Sequence, residues 1–485
     1  MAENVFMEHL EFIGRKPEQA ILREALASKE AEMVAVIGRR RVGKTLLIKT
    51  VYDERIVFQI AGTQHASKQD QLQVFSYQLQ EYVGLDEQVK KPKNWLEAFH
   101  FLIQFLKTKK SERKQVVFFD ELPWLATKRS GFLSALSFFW NNWAVNQNIV
   151  VVICGSAASW MIQKVVNHKG GLHNRVTRLI QLYPFTLAET EAYFQSRNVS
   201  LNRYHITQLY MAMGGIPYYL KEVKSGEGAV ENINRICFSP TGLLRKEFTR
   251  LYVSLFKNSE NHIAIIRALA TTWRGLHRNE IIQLSKLSDG GRIKRILEEL
   301  EQSGFISLYY PFGKKKNGLI YRLTDEYSLF YLKFIETKKT LETEVWQKLS
   351  QTQTYKSWSG YAFEGICLKH IAQIKKAMSI GGVYTETTSF YKKGTEESQG
   401  TQIDLLIDRN DQVINLFEIK FYNAPFEISK AYALNLRTKL GIFQQATKTR
   451  KQVFINLISS FPLIPNKHSI GLIDKALTLD DLFED

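Results

Sequence analysis

The segment Gly38-Arg39-Arg40-Arg41-Val42-Gly43-Lys44-Thr45 restricts what this chain can fold into more than any other. It matches G-x-x-x-x-G-K-S/T, in which the backbone N–H groups of a glycine loop and the N-terminus of the next helix cradle phosphate anions. The preceding Met33-Val34-Ala35-Val36-Ile37 is apolar and partly β-branched, as a buried strand requires. The following Leu46-Leu47-Ile48-Lys49-Thr50-Val51 opens a helical pattern. In such a unit Lys44 reaches the β- and γ-phosphates, and the Thr45 hydroxyl ligates Mg²⁺. A tight turn without a ligand is the competing reading, and it leaves the flanking strand unexplained. The expectation is a nucleotide site for ATP and Mg²⁺.

At 485 residues the chain is too long for one hydrophobic core, and about three domains is the starting expectation. Its 45% hydrophobic and 23% charged residues are ordinary for a soluble globular protein, but its net charge of +17 is not. An excess of this size favours phosphate-rich partners, nucleic acid before membrane. Cys154, Cys237 and Cys367 lie far apart without C-x-x-C spacing, which argues against a zinc site or a disulfide framework. Met1-Ala2-Glu3-Asn4-Val5 does not read as a secretory signal. The most apolar run, Ile149 to Ile162, is too short and too interrupted, by Gly155, Ser156 and Ser159, to span a bilayer. A cytoplasmic protein with no membrane segment is expected.

Two further apolar runs end in polar residues. Val116-Val117-Phe118-Phe119 is followed by Asp120-Glu121, and ligands of open α/β sheets bind at such strand ends. Asp120 is expected to hold Mg²⁺ through water, and Glu121 to orient and deprotonate the water that attacks the γ-phosphate. A solvated strand end is the plainer alternative. Ile149–Gly155 runs into Ser156, a candidate contact to the γ-phosphate or attacking water, or else a helix cap. Arg175 and Arg178 offer guanidinium groups able to stabilise transition-state charge, with Arg175 the better candidate and a surface ion pair the alternative. Phe12-Ile13-Gly14-Arg15 reads as a Gly-Arg turn before a helix, or as a segment folding over the adenine.

As an ordered set, Phe12–Arg15, Gly38–Thr45, Phe119-Asp120-Glu121, Cys154-Gly155-Ser156, Tyr183-Pro184-Phe185 and Gly214-Gly215-Ile216-Pro217 resemble the archaeal/prokaryotic ATPase family. That family belongs to the AAA+-related P-loop NTPases of STAND and MNS type. The resemblance covers about the first half of the chain. It implies a three-layer α/β domain and a small helical lid, with Gly214–Pro217 in a sensor-like place near the nucleotide. No lid arginine is obvious.

From about Ile263 the pattern turns helical, with further helices fitting Asn279–Leu287 and Gly291–Gln302. Phe305–Tyr310 and Leu319–Leu323 then alternate as strands around the basic turn Lys314-Lys315-Lys316-Asn317-Gly318. Three helices and a basic-tipped hairpin describe a winged helix-turn-helix. Arg292, Lys294 and Arg295 are placed on or near its recognition helix and Lys314–Lys316 on the wing, to contact DNA phosphates. Winged helices that make only protein contacts are the alternative.

Residues 336–350 read as a polar linking helix or loop, and a second constellation lies beyond them. Gln402–Asp408 and Val413–Lys420 alternate as two strands about the turn Asp408-Arg409-Asn410-Asp411. In an antiparallel hairpin Asp404 and Glu418 lie close, with Lys420 on the same face as Glu418. Two carboxylates and a lysine suit metal-dependent phosphodiester hydrolysis, with Mg²⁺ or Mn²⁺ held by oxygen ligands and Lys420 positioning the nucleophile. The set resembles the PD-(D/E)xK nuclease superfamily, whose additional helix glutamate corresponds to Glu364 and whose ligands correspond to Glu364, Asp404 and Glu418. Its pairing with such an ATPase resembles ATPases carrying a DUF234-type C-terminal region. Lys392-Lys393 and Lys448-Thr449-Arg450-Lys451 are candidate flanks of a nucleic-acid groove, or plain basic surface.

The expected architecture is therefore α/β: a P-loop domain over 1–190, a helical lid over 191–245, a winged helix over 246–335 and a restriction-endonuclease-like α/β domain over 345–485. The expected function is an ATP-hydrolysing, DNA-acting protein with a metal-dependent nuclease under ATPase control. A STAND-like switch with a catalytically silent nuclease-like domain is the alternative. DNA is favoured over RNA as partner, and ATP-dependent homo-oligomers are compatible with either scheme.

Overall fold

The computed structural model describes residues 12–84, 89–109, 111–127, 129–166, 172, 174–314, 318–337, 344–394 and 399–484, and structural statements here concern those residues. Five short apolar runs form β1 (Glu32–Ile37), β2 (Ile56–Ala61), β3 (Gln115–Asp120), β4 (Ile149–Gly155) and β5 (Arg178–Gln181). They pair in parallel in the order β2-β3-β4-β1-β5. Helices cover parallel sheets on both faces, which is why every residue of β1 and β4 is buried and apolar residues run on without alternation. The loops after β1, β3 and β4 leave one edge of the sheet, so three sequence-distant polar ends converge there.

Packing fixes that edge. Phe119, next to Asp120, is wedged between Phe99 and Phe132 at ring separations of 5.5 and 5.9 Å. Gly38, the first loop residue, has φ +151°, and a Cβ there would stand 2.3 Å from the Leu182 carbonyl oxygen. Leu182 in turn donates its N–H to the Ile37 carbonyl at 2.7 Å. Only glycine fits so close a backbone approach.

The chain divides into two compact units, the first ending at Pro184 and also taking in Leu255–Lys257 and Glu298–Gly304. The expected boundary at 190 falls inside the helix Leu187–Ser196. Thr186 begins that helix through a capping box with Glu189, so the break lies before the cap rather than within the helix. The expected lid, winged-helix and C-terminal segments fall mostly in the second unit. Within it Phe185 donates to the Gly215 carbonyl at 2.7 Å and accepts from the Tyr210 hydroxyl at 2.7 Å. The Tyr-Pro-Phe and Gly-Gly-Ile-Pro motifs thus meet through a backbone hydrogen bond from Phe185 to Gly215.

Helices Ser259–Leu269, Arg278–Ser285 and Gly291–Gln302 precede an antiparallel hairpin of β6 (Ile306–Tyr309) and β7 (Ile320–Leu323). Leu276 pairs with Tyr321 as a third short rung. The helix Gly291–Gln302 buries Ile293, Ile296, Leu297 and Leu300 and exposes Arg292, Lys294 and Arg295. The described start of the hairpin loop is docked at Phe312. Phe312 donates its N–H to the Ser389 carbonyl at 2.8 Å, and its ring packs 5.4 Å from Phe443. Lys315, Lys316 and Asn317 lie outside the described residues.

Part of the expected linker over 336–350 is packed, at Val345 and Trp346. Trp346, in the helix Val345–Leu349, is only 2% exposed and stacks 5.6 Å from Phe238. Beyond it the second sheet contains β8 (Thr385–Lys392), β9 (Thr401–Arg409), β10 (Val413–Lys420), β12 (Gln452–Ser459) and β14 (Lys475–Leu477), in the order β14-β12-β10-β9-β8. The short β11 (Phe426–Glu427) and β13 (Leu463–Ile464) pair separately. β8, β9 and β10 are antiparallel, whereas β10, β12 and β14 run parallel. Helices Gln353–Lys369 and Lys430–Thr447 supply the other layer residues of the site described below.

Candidate functional site

Two polar constellations arise from these elements, one in each unit. In the first, Lys44 is buried at the start of a helix and donates to the Gly38 and Arg39 carbonyls at 2.9 and 3.0 Å. Arg39 and Val42 are buried, while Arg40, Arg41 and Gly43 are half-buried. The Thr45 hydroxyl donates to Asp120 Oδ2 at 2.7 Å, although the two residues are 75 positions apart. A hydroxyl and a carboxylate are hard oxygen donors that suit Mg²⁺ beside phosphate oxygens. Those residues therefore fit the ion.

Glu121 has a left-handed backbone with φ 46°, unusual for a residue with a side chain. That turn directs its carboxylate to Ser156, whose N–H and hydroxyl donate to Oε2 at 3.1 and 2.8 Å. Because β4 lies between β1 and β3, Ser156 emerges between the loop and the carboxylates. The serine expected to touch phosphate or water donates twice to the glutamate. Arg15 extends to the same loop, with its guanidinium 3.5 Å from the Val42 carbonyl. Its position just before the first helix was the one available sequence signal.

The two arginines separate. Arg178 pairs with Glu24 at 2.9 Å and with Glu32 at 3.5 Å, so it is committed to structure. Arg175 is exposed and makes no ion pair among the described residues.

The second constellation occupies a cavity of about 350 Å³ lined by Glu364, Gln402, Asp404, Glu418, Lys420 and Lys439, among others. The β9–β10 register runs from Ile414 opposite Asp408 to Phe417 opposite Leu405, which sets Glu418 across from Asp404. Alternation along the strands then brings Gln402 and Lys420 onto the same face. Glu364 joins from the helix Gln353–Lys369. All four expected residues thus line one cavity.

Their electrostatics differ sharply. Burial would raise the Glu418 carboxyl, but the ammonium groups of Lys420 and Lys439, with the Tyr432 hydroxyl, bring it down to about 2. Lys420 stands 2.8 Å from Oε1 and Lys439 2.9 Å from Oε2. Burial, and then the Asp404 charge, push Glu364 up to about 8, against the opposing pull of Arg322 and Lys420. Glu364 Oε2 is sealed from solvent without a hydrogen-bond partner among the described residues. Asp404 Oδ1 accepts from Gln402 Nε2 at 2.6 Å.

Among the described residues no three His, Cys, Asp or Glu side chains are gathered as a metal-ligand set. Both oxygens of Glu418, an expected ligand, face the ammonium groups of Lys420 and Lys439. Glu364 and Asp404 remain as hard oxygen donors that fit a divalent ion retaining several waters. Sequence reasoning missed Tyr432 and Lys439, whose spacing of two helical turns puts both on one helix face. It also missed Arg322, which arrives from β7 and carries no motif. Of the basic runs, Lys451 is tied to Asp408 at 2.6 Å and the Arg409 carbonyl at 2.7 Å, while Lys393, Lys448 and Arg450 are exposed.

No helix is long and apolar enough to cross a membrane among the described residues. Residues 12–223 match the family described as an ATPase domain predominantly from Archaea. A relative, an uncharacterized protein of Methanocaldococcus jannaschii, is 24% identical over 418 residues, covering 84% of this chain and 87% of that one. Among solved structures, a Walker-type ATPase of Pyrococcus abyssi is 18% identical with TM-score 0.51, over 67% of this chain and 97% of that one. The alignment to the archaeal relative is longer than the ATPase match and so continues into the second unit. Together with the strand order and the Lys44–Thr45–Asp120 geometry, these likenesses establish a P-loop ATPase domain in the first half of this chain.

Proposed function

We propose that the chain is an ATP-controlled, DNA-acting protein whose second unit hydrolyses phosphodiester bonds. In the first unit Lys44 and the loop N–H groups bind the phosphates of ATP, and Thr45 and Asp120 hold Mg²⁺. Glu121 takes the proton of the attacking water while Ser156 fixes its orientation. Arg175 remains available to a neighbouring subunit, whereas Arg178 does not.

The observation that carries the nuclease reading is the meeting of Glu364, Asp404, Glu418 and Lys420, from one helix and two strands, in one cavity. Glu364 and Asp404 would hold Mg²⁺ or Mn²⁺, which supplies water activation and charge neutralisation when bound. Lys420 is kept fully protonated by Glu418 and faces the scissile phosphate as a fixed cation. Arg292, Lys294 and Arg295 supply an exposed basic face for phosphate contacts. Incubation with plasmid and oligonucleotide substrates, with Mg²⁺ or Mn²⁺ and with or without ATP, tests this. Cleavage that persists unchanged in Asp404→Ala and Lys420→Ala would rule it out.

A second reading is favoured by the double engagement of Glu418 with Lys420 and Lys439. In it the cavity binds nucleic acid without cutting, and ATP drives a conformational or assembly switch. That reading predicts salt-sensitive binding without products, and ATP-dependent light scattering abolished by Lys44→Ala.

A further inference from the structure

We propose that a cleft between the β6–β7 hairpin and the β8–β9 edge takes a single DNA strand and leads it to Asp404. This rests on the proposed nucleic-acid function and names its substrate class. The cleft is about 870 Å³, within the usual range of ligand sites, and shares Gln402 and Asp404 with the carboxylate cavity. The two cavities therefore adjoin at those residues.

Its walls carry the chemistry of strand binding. Tyr391 on β8 is 49% exposed, and the Arg274 guanidinium lies 5.8 Å over its ring. Tyr391 pairs with Gln402 across β8–β9, so it shares a sheet face with Gln402 and Asp404. Tyr309 on β6, half-buried and with its hydroxyl donating to the Arg274 carbonyl, also lines the cleft. Aromatic faces flanked by arginine accept unpaired bases whatever their sequence. His277, Lys314 and Arg322 add groups suited to backbone phosphates, and Arg322 is also the charge that acts on Glu364. Glu280 pairs with Arg274 at 3.0 Å and, apart from Asp404, is the one carboxylate among the described residues lining the cleft.

The docked hairpin explains the choice of one strand over two. Phe312, bonded to Ser389 and packed on Phe443, holds the hairpin against the sheet and closes one side. A duplex needs an open groove, whereas a single strand can lay its bases flat between two walls.

The test is fluorescence anisotropy of the full chain with a labelled oligodeoxythymidylate and with a blunt duplex of equal length, in EDTA. The expected result is single-strand binding about tenfold or more tighter than duplex binding. Tyr391→Ala should weaken it by about five- to a hundredfold, and Tyr391→Phe should leave it intact. An unchanged thermal midpoint of Tyr391→Ala shows that the fold is kept. Equal duplex affinity, absence of single-strand binding, or indifference to Tyr391→Ala each overturns the proposal. Single-strand binding without metal-dependent cleavage keeps the cleft and removes the nuclease reading. Duplex cleavage insensitive to Tyr391→Ala does the reverse.

Discussion

Ser156 gives both its backbone N–H, at 3.1 Å, and its hydroxyl, at 2.8 Å, to a single oxygen of Glu121. Glu121 itself sits in a left-handed backbone turn with φ 46°.

Glu121→Gln should therefore retain ATP binding and lose hydrolysis by roughly two to four orders of magnitude. Ser156→Ala removes one of the two hydrogen bonds, and about tenfold in kcat is the expected loss, with KM for ATP nearly unchanged. Steady-state phosphate release checks both. A Ser156→Ala effect confined to KM would show that the serine binds nucleotide and does not position Glu121.

His370 provides a stability signal independent of either site. Its Nε2 accepts from the Leu187 N–H at 3.0 Å, and its Nδ1 lies 2.8 Å from the Ile366 carbonyl. Nδ1 therefore carries the proton, and the ring is neutral. Burial pushes it down to about 4 from its usual 6.5. The unfolded chain binds this proton more readily, so the contribution is complete above pH 6.5 and is lost as pH falls toward 4. Up to about 3 kcal/mol is involved. Urea midpoints of wild type and His370→Gln should diverge above pH 6.5 and converge near pH 4; parallel profiles would count against this assignment.

Glu364 leads to a metal prediction. Its carboxyl, raised to about 8 chiefly by burial and next by Asp404, must lose a proton before it can bind a cation. Mn²⁺ or Mg²⁺ should raise the thermal midpoint of the wild type more strongly as pH rises from 6 to 8, and EDTA should reverse the gain. Glu364→Gln and Asp404→Ala should abolish the shift. A metal-induced shift of equal size in both variants would place the ion elsewhere.

Much of this molecule is legible in one dimension. The Gly38–Thr45 loop, the strands before Asp120 and Ser156, and the E-x-K strand ending at Lys420 are local patterns whose chemistry depends on neighbours in sequence. Strand alternation alone puts Glu418 and Lys420 on one face, and the hairpin turn brings Asp404 opposite. Tertiary structure decided the rest. It committed Arg178 to Glu24 and Glu32, turned Ser156 toward Glu121, and brought Lys439 and Arg322 to the carboxylates. Those outcomes depend on charges supplied by remote elements and on burial, and no spacing rule encodes either. Periodicity says which face a side chain occupies; only packing determines what meets it there.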